Sequence, residues 1–134
     1  MDTIAHWING AAVPSTSGNT SPVYNPATGE QASLVGLASV AEVEAAVVAA
    51  KAAFPGWRST SLTKRAEIMF RFRELIDANK LKIATLVSNE HGKVVSDAMG
   101  EVSRGLENVE YACGISELIK GSYSEQAATG VDVY

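Results

Sequence analysis

The sequence predicts an α/β protein, and three observations carry that prediction. The first 38 residues are extended and rich in turn formers, with an Asn9-Gly10 pair flanked by apolar residues. From Ser39 to Gly121 apolar residues recur at helical spacing in four successive segments. The end, Val131-Asp-Val-Tyr134, returns to strand-like alternation.

Each element has a local cause. Trp7-Ile-Asn-Gly10 carries the strongest short-range signal for a tight hairpin, because Asn and Gly both tolerate the left-handed backbone that such a turn needs. Ser15 to Ser21 is polar and reads as loop. Val23-Tyr24 is a short strand, Asn25 to Gly29 a turn, and Ala32 to Leu37 a second strand.

Ser39 opens the first helix with a capping box: its hydroxyl can accept from the amide of Glu42, whose carboxylate can reach back. Val43, Val47, Ala50 and Phe54 form one stripe, and Pro55-Gly56 is expected to end the helix. Ser61 caps a second helix with Ile68, Met69, Phe72, Leu75 and Ile76 on one face. Its other face carries mainly Lys64, Glu67, Arg71 and Glu74. Asn79 marks a break. A third segment from Lys80 buries Ile83, Ala84 and Val87 and stops at Gly92. The last helix is expected from about Ser96 to Lys120, with Ala98, Val102, Val109 and Ala112 inward and Gly121 closing it. Val131 to Tyr134 is expected as a lone, unpaired strand. A helical layer needs a sheet to cover, and so few strands suggest a piece of something larger.

Composition excludes several classes. The chain has 134 residues, enough for one domain with a core, of which 46% are apolar and 19% charged. No apolar run reaches the roughly 20 residues that cross a bilayer. The start, Met1-Asp-Thr-Ile-Ala-His-Trp7, has no basic region of the kind found in leader peptides. A net charge of −4 without a basic block gives no reason to expect nucleic acid or membrane as partner. The single cysteine, Cys113, rules out an internal disulfide and fits a cytoplasmic location, and two well-separated histidines leave no metal-ligand spacing.

The candidate site residues are few. Cys113 lies well inside the expected last helix with no histidine near it in sequence, so a structural role is expected rather than a nucleophilic one. His6 and His91 need no catalytic explanation, and Lys51 and Lys93 read as exposed lysines. Neither G-x-G-x-x-G nor G-x-x-x-x-G-K occurs, so no phosphate-cradling turn is expected. Arg104 stands apart. It lies about 200° round the helix from Val102, away from the inward stripe. It can be a solvated partner of Glu101 or Glu107, or a ligand-binding group. Gly100 and Gly105 beside it each cost about 1 kcal/mol relative to alanine in a helix interior, which predicts something packed close to the backbone.

Four segments, Asn25-Pro-Ala-Thr-Gly-Glu30, Phe54-Pro-Gly-Trp57, Glu90-His-Gly-Lys93 and Arg104-Gly-Leu-Glu-Asn-Val-Glu110, resemble in that order the opening of an aldehyde dehydrogenase. The first and third are shared widely in that family. Gly100 to Glu110 most resembles the CoA-acylating methylmalonate-semialdehyde dehydrogenase branch. The resemblance covers Trp7 to Tyr134. It implies a β-hairpin section at 1–38, helices flanking an incomplete Rossmann-like NAD-binding domain at 39–121, and the start of an oligomerisation arm at 122–134. It implies that Arg104 binds the carboxylate of the substrate, as a planar guanidinium is suited to do.

The enzyme so implied uses NAD and CoA. A cysteine attacks malonate or methylmalonate semialdehyde, hydride passes to NAD, and the thioester is transferred to CoA with loss of CO2. The products are acetyl-CoA or propionyl-CoA, as in valine and inositol catabolism, and the enzyme is a homo-oligomer, by resemblance a tetramer. The catalytic cysteine belongs to a later segment that these residues lack. The chain is therefore expected to be an N-terminal fragment with no catalytic residue of its own, inactive alone and binding neither cofactor. The alternatives are a fragment of a hydrolytic aldehyde dehydrogenase and a non-catalytic helical interaction module.

Overall fold

The computed structural model describes residues 2–134. Its elements run β1 (Thr3–Ile4), β2 (His6–Ile8), β3 (Ala11–Val13), β4 (Thr20–Tyr24), β5 (Gln31–Gly36), α1 (Val40–Ser59), α2 (Leu62–Ala78), α3 (Lys80–His91), α4 (Val95–Ala112), α5 (Ile115–Leu118), β6 (Ser124–Ala128) and β7 (Val131–Val133). The predicted α/β class is what forms. The residues group into two compact units: one holds the chain up to Thr60 together with Ala84–Ala98, the other Ser61–Ile83 together with Met99–Tyr134.

In the first unit, β2 and β3 form the expected hairpin, with Trp7 opposite Ala12. Asn9 at φ 53° and Gly10 at φ 77° occupy the two left-handed turn positions. A separate three-stranded sheet has the order β1-β5-β4, with β1 parallel and β4 antiparallel to β5. The turn between β4 and β5 is closed by Gly29 N donating to Asn25 O at 2.8 Å, while Ala27 N donates to Asn25 Oδ1 at 2.9 Å. Strand β4 begins at Thr20, inside the stretch expected as loop, because its pairing reaches Gly36.

Helix α1 starts with the predicted capping box: Glu42 N donates to Ser39 Oγ, and Ser39 N donates to Glu42 Oε2 at 2.7 Å. The expected stop at Pro55-Gly56 is corrected, since α1 continues through both to Ser59. Proline deletes one donor and leaves the following turn free to close. Here that turn is fastened at its end: Thr60 N donates to Trp57 O, and the hydroxyls of Ser59 and Thr60 both donate to Gly56 O at 3.0 Å. Helix α3 ends as expected at Gly92, whose φ is 86°.

In the second unit, Ser61 caps α2 and Asn79 terminates it. Arg73 on α2 reaches Glu110 on α4, with Nη2 2.9 Å and Nε 3.0 Å from the same carboxylate oxygen. The long last helix is also corrected. Helix α4 ends at Ala112, and α5 is a single turn after it. The break sits at Cys113-Gly114, where Cys113 N is shared between the carbonyls of Val109 and Glu110 and Gly114 N turns back to Tyr111 O. The lone C-terminal strand is corrected too: β7 pairs antiparallel with β6, which carries no clear alternation in sequence.

Burial departs most from the sequence pattern. Ala84, Ala98, Val102 and Leu106 are buried apolar residues, and the last three recur every four positions along α4. The stripes of α1 and α2 stay open, with Val47 60%, Phe54 57% and Leu75 56% exposed. No described helix is long and apolar enough to cross a membrane.

Candidate functional site: an open arginine on α4 and a cleft beside α1

The burial of Ala98, Val102 and Leu106 fixes the rotation of α4 and turns Arg104 outward, as its angular position requires. The side chain runs back towards the helix N-terminus, so that Nη1 lies 3.8 Å from where a Cβ on Gly100 would stand. Three other cations of the second unit are paired: Lys64 with Glu67, Arg73 with Glu110 and Asp77, and Lys120 with Glu117, whereas Arg71, Lys80 and Lys82, like Arg104, have no ion pair among the described residues. Arg104 makes no ion pair among the described residues, so the partnership with Glu101 or Glu107 is not formed. Its planar set of donors is free to receive a carboxylate.

The expectation that something packs against the two glycines is met only by this guanidinium. A Cβ on Gly105 would meet nothing within 4 Å. Gly100 is half-buried and Gly105 lies exposed on the helix surface.

Cys113 sits just beyond α4 rather than within a helix. Half-buried, it turns its thiol onto Val109 O at 3.3 Å, a contact that suits a structural residue. His91 lies exposed in the last turn of α3. Lys93 is not the exposed lysine expected: its side chain is only 14% exposed and meets Asp97 at 3.0 Å. Among the described residues no group of three His, Cys, Asp or Glu side chains comes together that could hold a metal ion.

A feature the sequence pattern did not isolate is a cleft of about 490 Å³ in the first unit, between the β2–β3 hairpin and α1. It is lined by His6, Trp7 and Ile8 from the hairpin and by Glu42, Val43 and Val47 among the residues of α1. A second cavity of about 230 Å³ adjoins it and shares Trp7 and Ala50. The signal was present in the Val43/Val47/Ala50 stripe, but only the folded hairpin shows what stands opposite. Glu42 is fully engaged, accepting from Ser39 N, Thr16 N at 2.6 Å, Ser39 Oγ and Ser15 Oγ. The backbone amides of Ser39 and then Thr16 hold its carboxyl down at about 2. His6, which also lines the cleft, buries its Nε2 without a hydrogen-bond partner among the described residues.

A malonate-semialdehyde dehydrogenase of Pseudomonas aeruginosa is 45% identical over 134 residues, covering 100% of this chain and 27% of that protein. The mitochondrial acylating methylmalonate-semialdehyde dehydrogenase of Arabidopsis thaliana is 44% identical over 98% of this chain and 22% of its own length. A crystal structure from Sinorhizobium meliloti, assigned to the methylmalonate-semialdehyde dehydrogenases and holding NAD, superposes with a TM-score of 0.88 at 43% identity. It covers 98% of this chain and 27% of that one. The chain thus spans about a quarter of the length of these relatives. The sequence pattern of the aldehyde dehydrogenase family matches residues 12–134, and to that family the chain belongs.

Proposed function

We propose that this chain is the N-terminal segment of an NAD-dependent, CoA-acylating dehydrogenase of malonate or methylmalonate semialdehyde, acting as a homo-oligomer, and that Arg104 holds the carboxylate of the substrate. The observation that carries the second half is the exposed guanidinium on the outer face of α4, which makes no ion pair among the described residues. An aldehyde bearing a carboxylate needs a group that fixes its charged end, and arginine does so with two parallel hydrogen bonds. The names of the relatives, malonate- and methylmalonate-semialdehyde dehydrogenases, one of them acylating, support the substrate and the acyl transfer.

The larger cleft in the first unit does not fit NAD. It is apolar, its ionised lining group is the Glu42 carboxylate, and no cation faces it to receive a pyrophosphate. No step of hydride or acyl transfer is therefore assigned to these residues. Their part is to bind and orient the substrate's charged end.

The test is Arg104→Leu in the complete enzyme. It should lower kcat/KM for malonate semialdehyde by a factor equivalent to about 2–5 kcal/mol, the range found when one partner of a buried charge pair is removed. Propanal, which has no carboxylate, should be affected much less. Arg104→Lys should restore only part of the loss, because an ammonium cannot reproduce the two-bond geometry. Small and equal effects on both aldehydes would refute the reading and favour a hydrolytic enzyme with no carboxylate to clamp.

A further inference from the structure

Glycine is the least favourable residue after proline inside a helix, and α4 carries two, Gly100 and Gly105. Their surroundings differ. A Cβ on Gly105 would meet nothing within 4 Å, whereas one on Gly100 would meet a single atom beyond its own stretch of helix, Nη1 of Arg104 at 3.8 Å. Gly100 is half-buried, and Arg104, one turn further on, is exposed. The arginine therefore lies back along the helix, across the place where residue 100 has no side chain.

The backbone beneath the arginine is fixed. Val102 and Leu106, two positions to either side, are buried and set the rotation of the helix, and Asn108 Nδ2 donates to Arg104 O at 2.8 Å. The guanidinium has far more freedom. It ends a long side chain with many rotamers and makes no ion pair among the described residues. Where its donors stand is thus decided by the surface on which the side chain lies, and that surface is Gly100.

We propose that Gly100 is a positioning residue for the Arg104 guanidinium: its missing side chain leaves the seat on α4 from which the guanidinium receives the carboxylate of the substrate. This rests on the carboxylate-binding role of Arg104 and adds what places the group. The Cβ of an alanine would touch Nη1 at ordinary contact distance and leave it where it is. A side chain branched at Cβ would not. Of the three staggered positions at Cβ in a helix, one runs into the preceding turn, and valine fills the two that remain. Such branching crowds the residue one turn away. The guanidinium then has to leave its seat, and a two-bond contact with a carboxylate tolerates little displacement. Valine is a better helix former than glycine, so the change does not weaken α4 itself.

The test uses the complete enzyme with Gly100→Ala, Gly100→Val, Arg104→Leu and the last two combined. The quantity read is the ratio of kcat/KM for malonate semialdehyde to kcat/KM for propanal, in which a general loss of folded enzyme cancels. Gly100→Ala should leave this ratio unchanged. Gly100→Val should lower it by up to about 100-fold, the loss that an ångström of misplacement can produce. In the Arg104→Leu background Gly100→Val should lower it no further, because the two substitutions remove the same contact. A ratio that valine leaves unchanged, or a fall of the same size with and without the arginine, would overturn the proposal. Neither result touches the role of Arg104, which fails only if Arg104→Leu itself leaves the ratio unchanged. Should Gly100→Val not fold, a crystal structure of the unsubstituted enzyme with malonate decides instead. The guanidinium should lie on Gly100 and hold a malonate carboxylate. A guanidinium that holds the carboxylate while turned away from Gly100 would overturn the proposal and leave the role of Arg104 standing.

Discussion

Gly92 should be among the least replaceable residues of the chain, and Gly92→Ala gives a cost that can be worked out in two parts. The backbone there has φ 86°, a left-handed conformation that costs an L-residue roughly 1–2 kcal/mol. The added Cβ would also stand 3.2 Å from Pro26 Cγ and 3.5 Å from Pro26 Cβ. Relief needs Pro26 to move by a few tenths of an ångström. The turn that carries it is held by Asn25 N to Glu30 O and Gly29 N to Asn25 O, both 2.8 Å, and yields poorly. Overpacking of this kind costs roughly 1–3 kcal/mol, so the total should be about 2–5 kcal/mol. Urea denaturation of Gly92→Ala, Pro26→Ala and the double variant, in the complete enzyme, separates the parts. Pro26→Ala removes the nearer atom. Gly92→Ala in that background should then cost only the backbone portion, about 1–2 kcal/mol. A cost that is the same with and without the proline ring would refute the contact argument, and a cost below about 1 kcal/mol would refute the backbone argument.

Three further outcomes are expected. The 134-residue chain alone should neither reduce NAD with semialdehyde and CoA nor bind NAD by calorimetry, and turnover or saturable micromolar binding would show that these residues hold more of the site than proposed. The isolated chain should associate with rising concentration in the ultracentrifuge, because Val43, Phe54, Ile68, Phe72 and Leu75 are all about half exposed or more. A monomer with one sharp thermal transition would contradict this. The Glu42 clasp should respond only to strong acid. A carboxyl whose folded value is lowered contributes stability above its ordinary value of 4.5, and that contribution is lost as pH falls through about 2. The Thr16 amide proton shift should report this loss in the acid range, and the same titration in Glu42→Gln should be flat. A midpoint near 4.5 would show the clasp is not formed.

What the sequence determined by itself are the features whose cause spans a few residues. Asn9-Gly10 set a turn because those two residues tolerate its backbone angles, and Ser39 with Glu42 set a helix start because both hydrogen bonds lie within four positions. Asn79 and Gly92 ended helices for similarly local reasons. The segments Asn25 to Glu30 and Glu90 to Lys93 carried the family, and the helical period placed Arg104 on the outer face.

The tertiary structure decided what depends on partners distant in the chain. Pro55 stays inside α1, against its local preference, with the following turn fastened by Ser59 and Thr60. Strand β6 exists because β7 offers it a ladder, and a strand of weak alternation becomes visible only through its partner. The helical stripes were legible, but periodicity gives the direction of a face and not the presence of anything against it. That is why Val47 and Phe72 remain open while Leu106 is buried. Glu42 was visible as half of a capping box, and its second task, holding the Thr16 amide 26 positions away, was not. The meeting of Gly92 with Pro26 has the same character. Each lies in its own recognisable motif, and only folding brings the two motifs into contact.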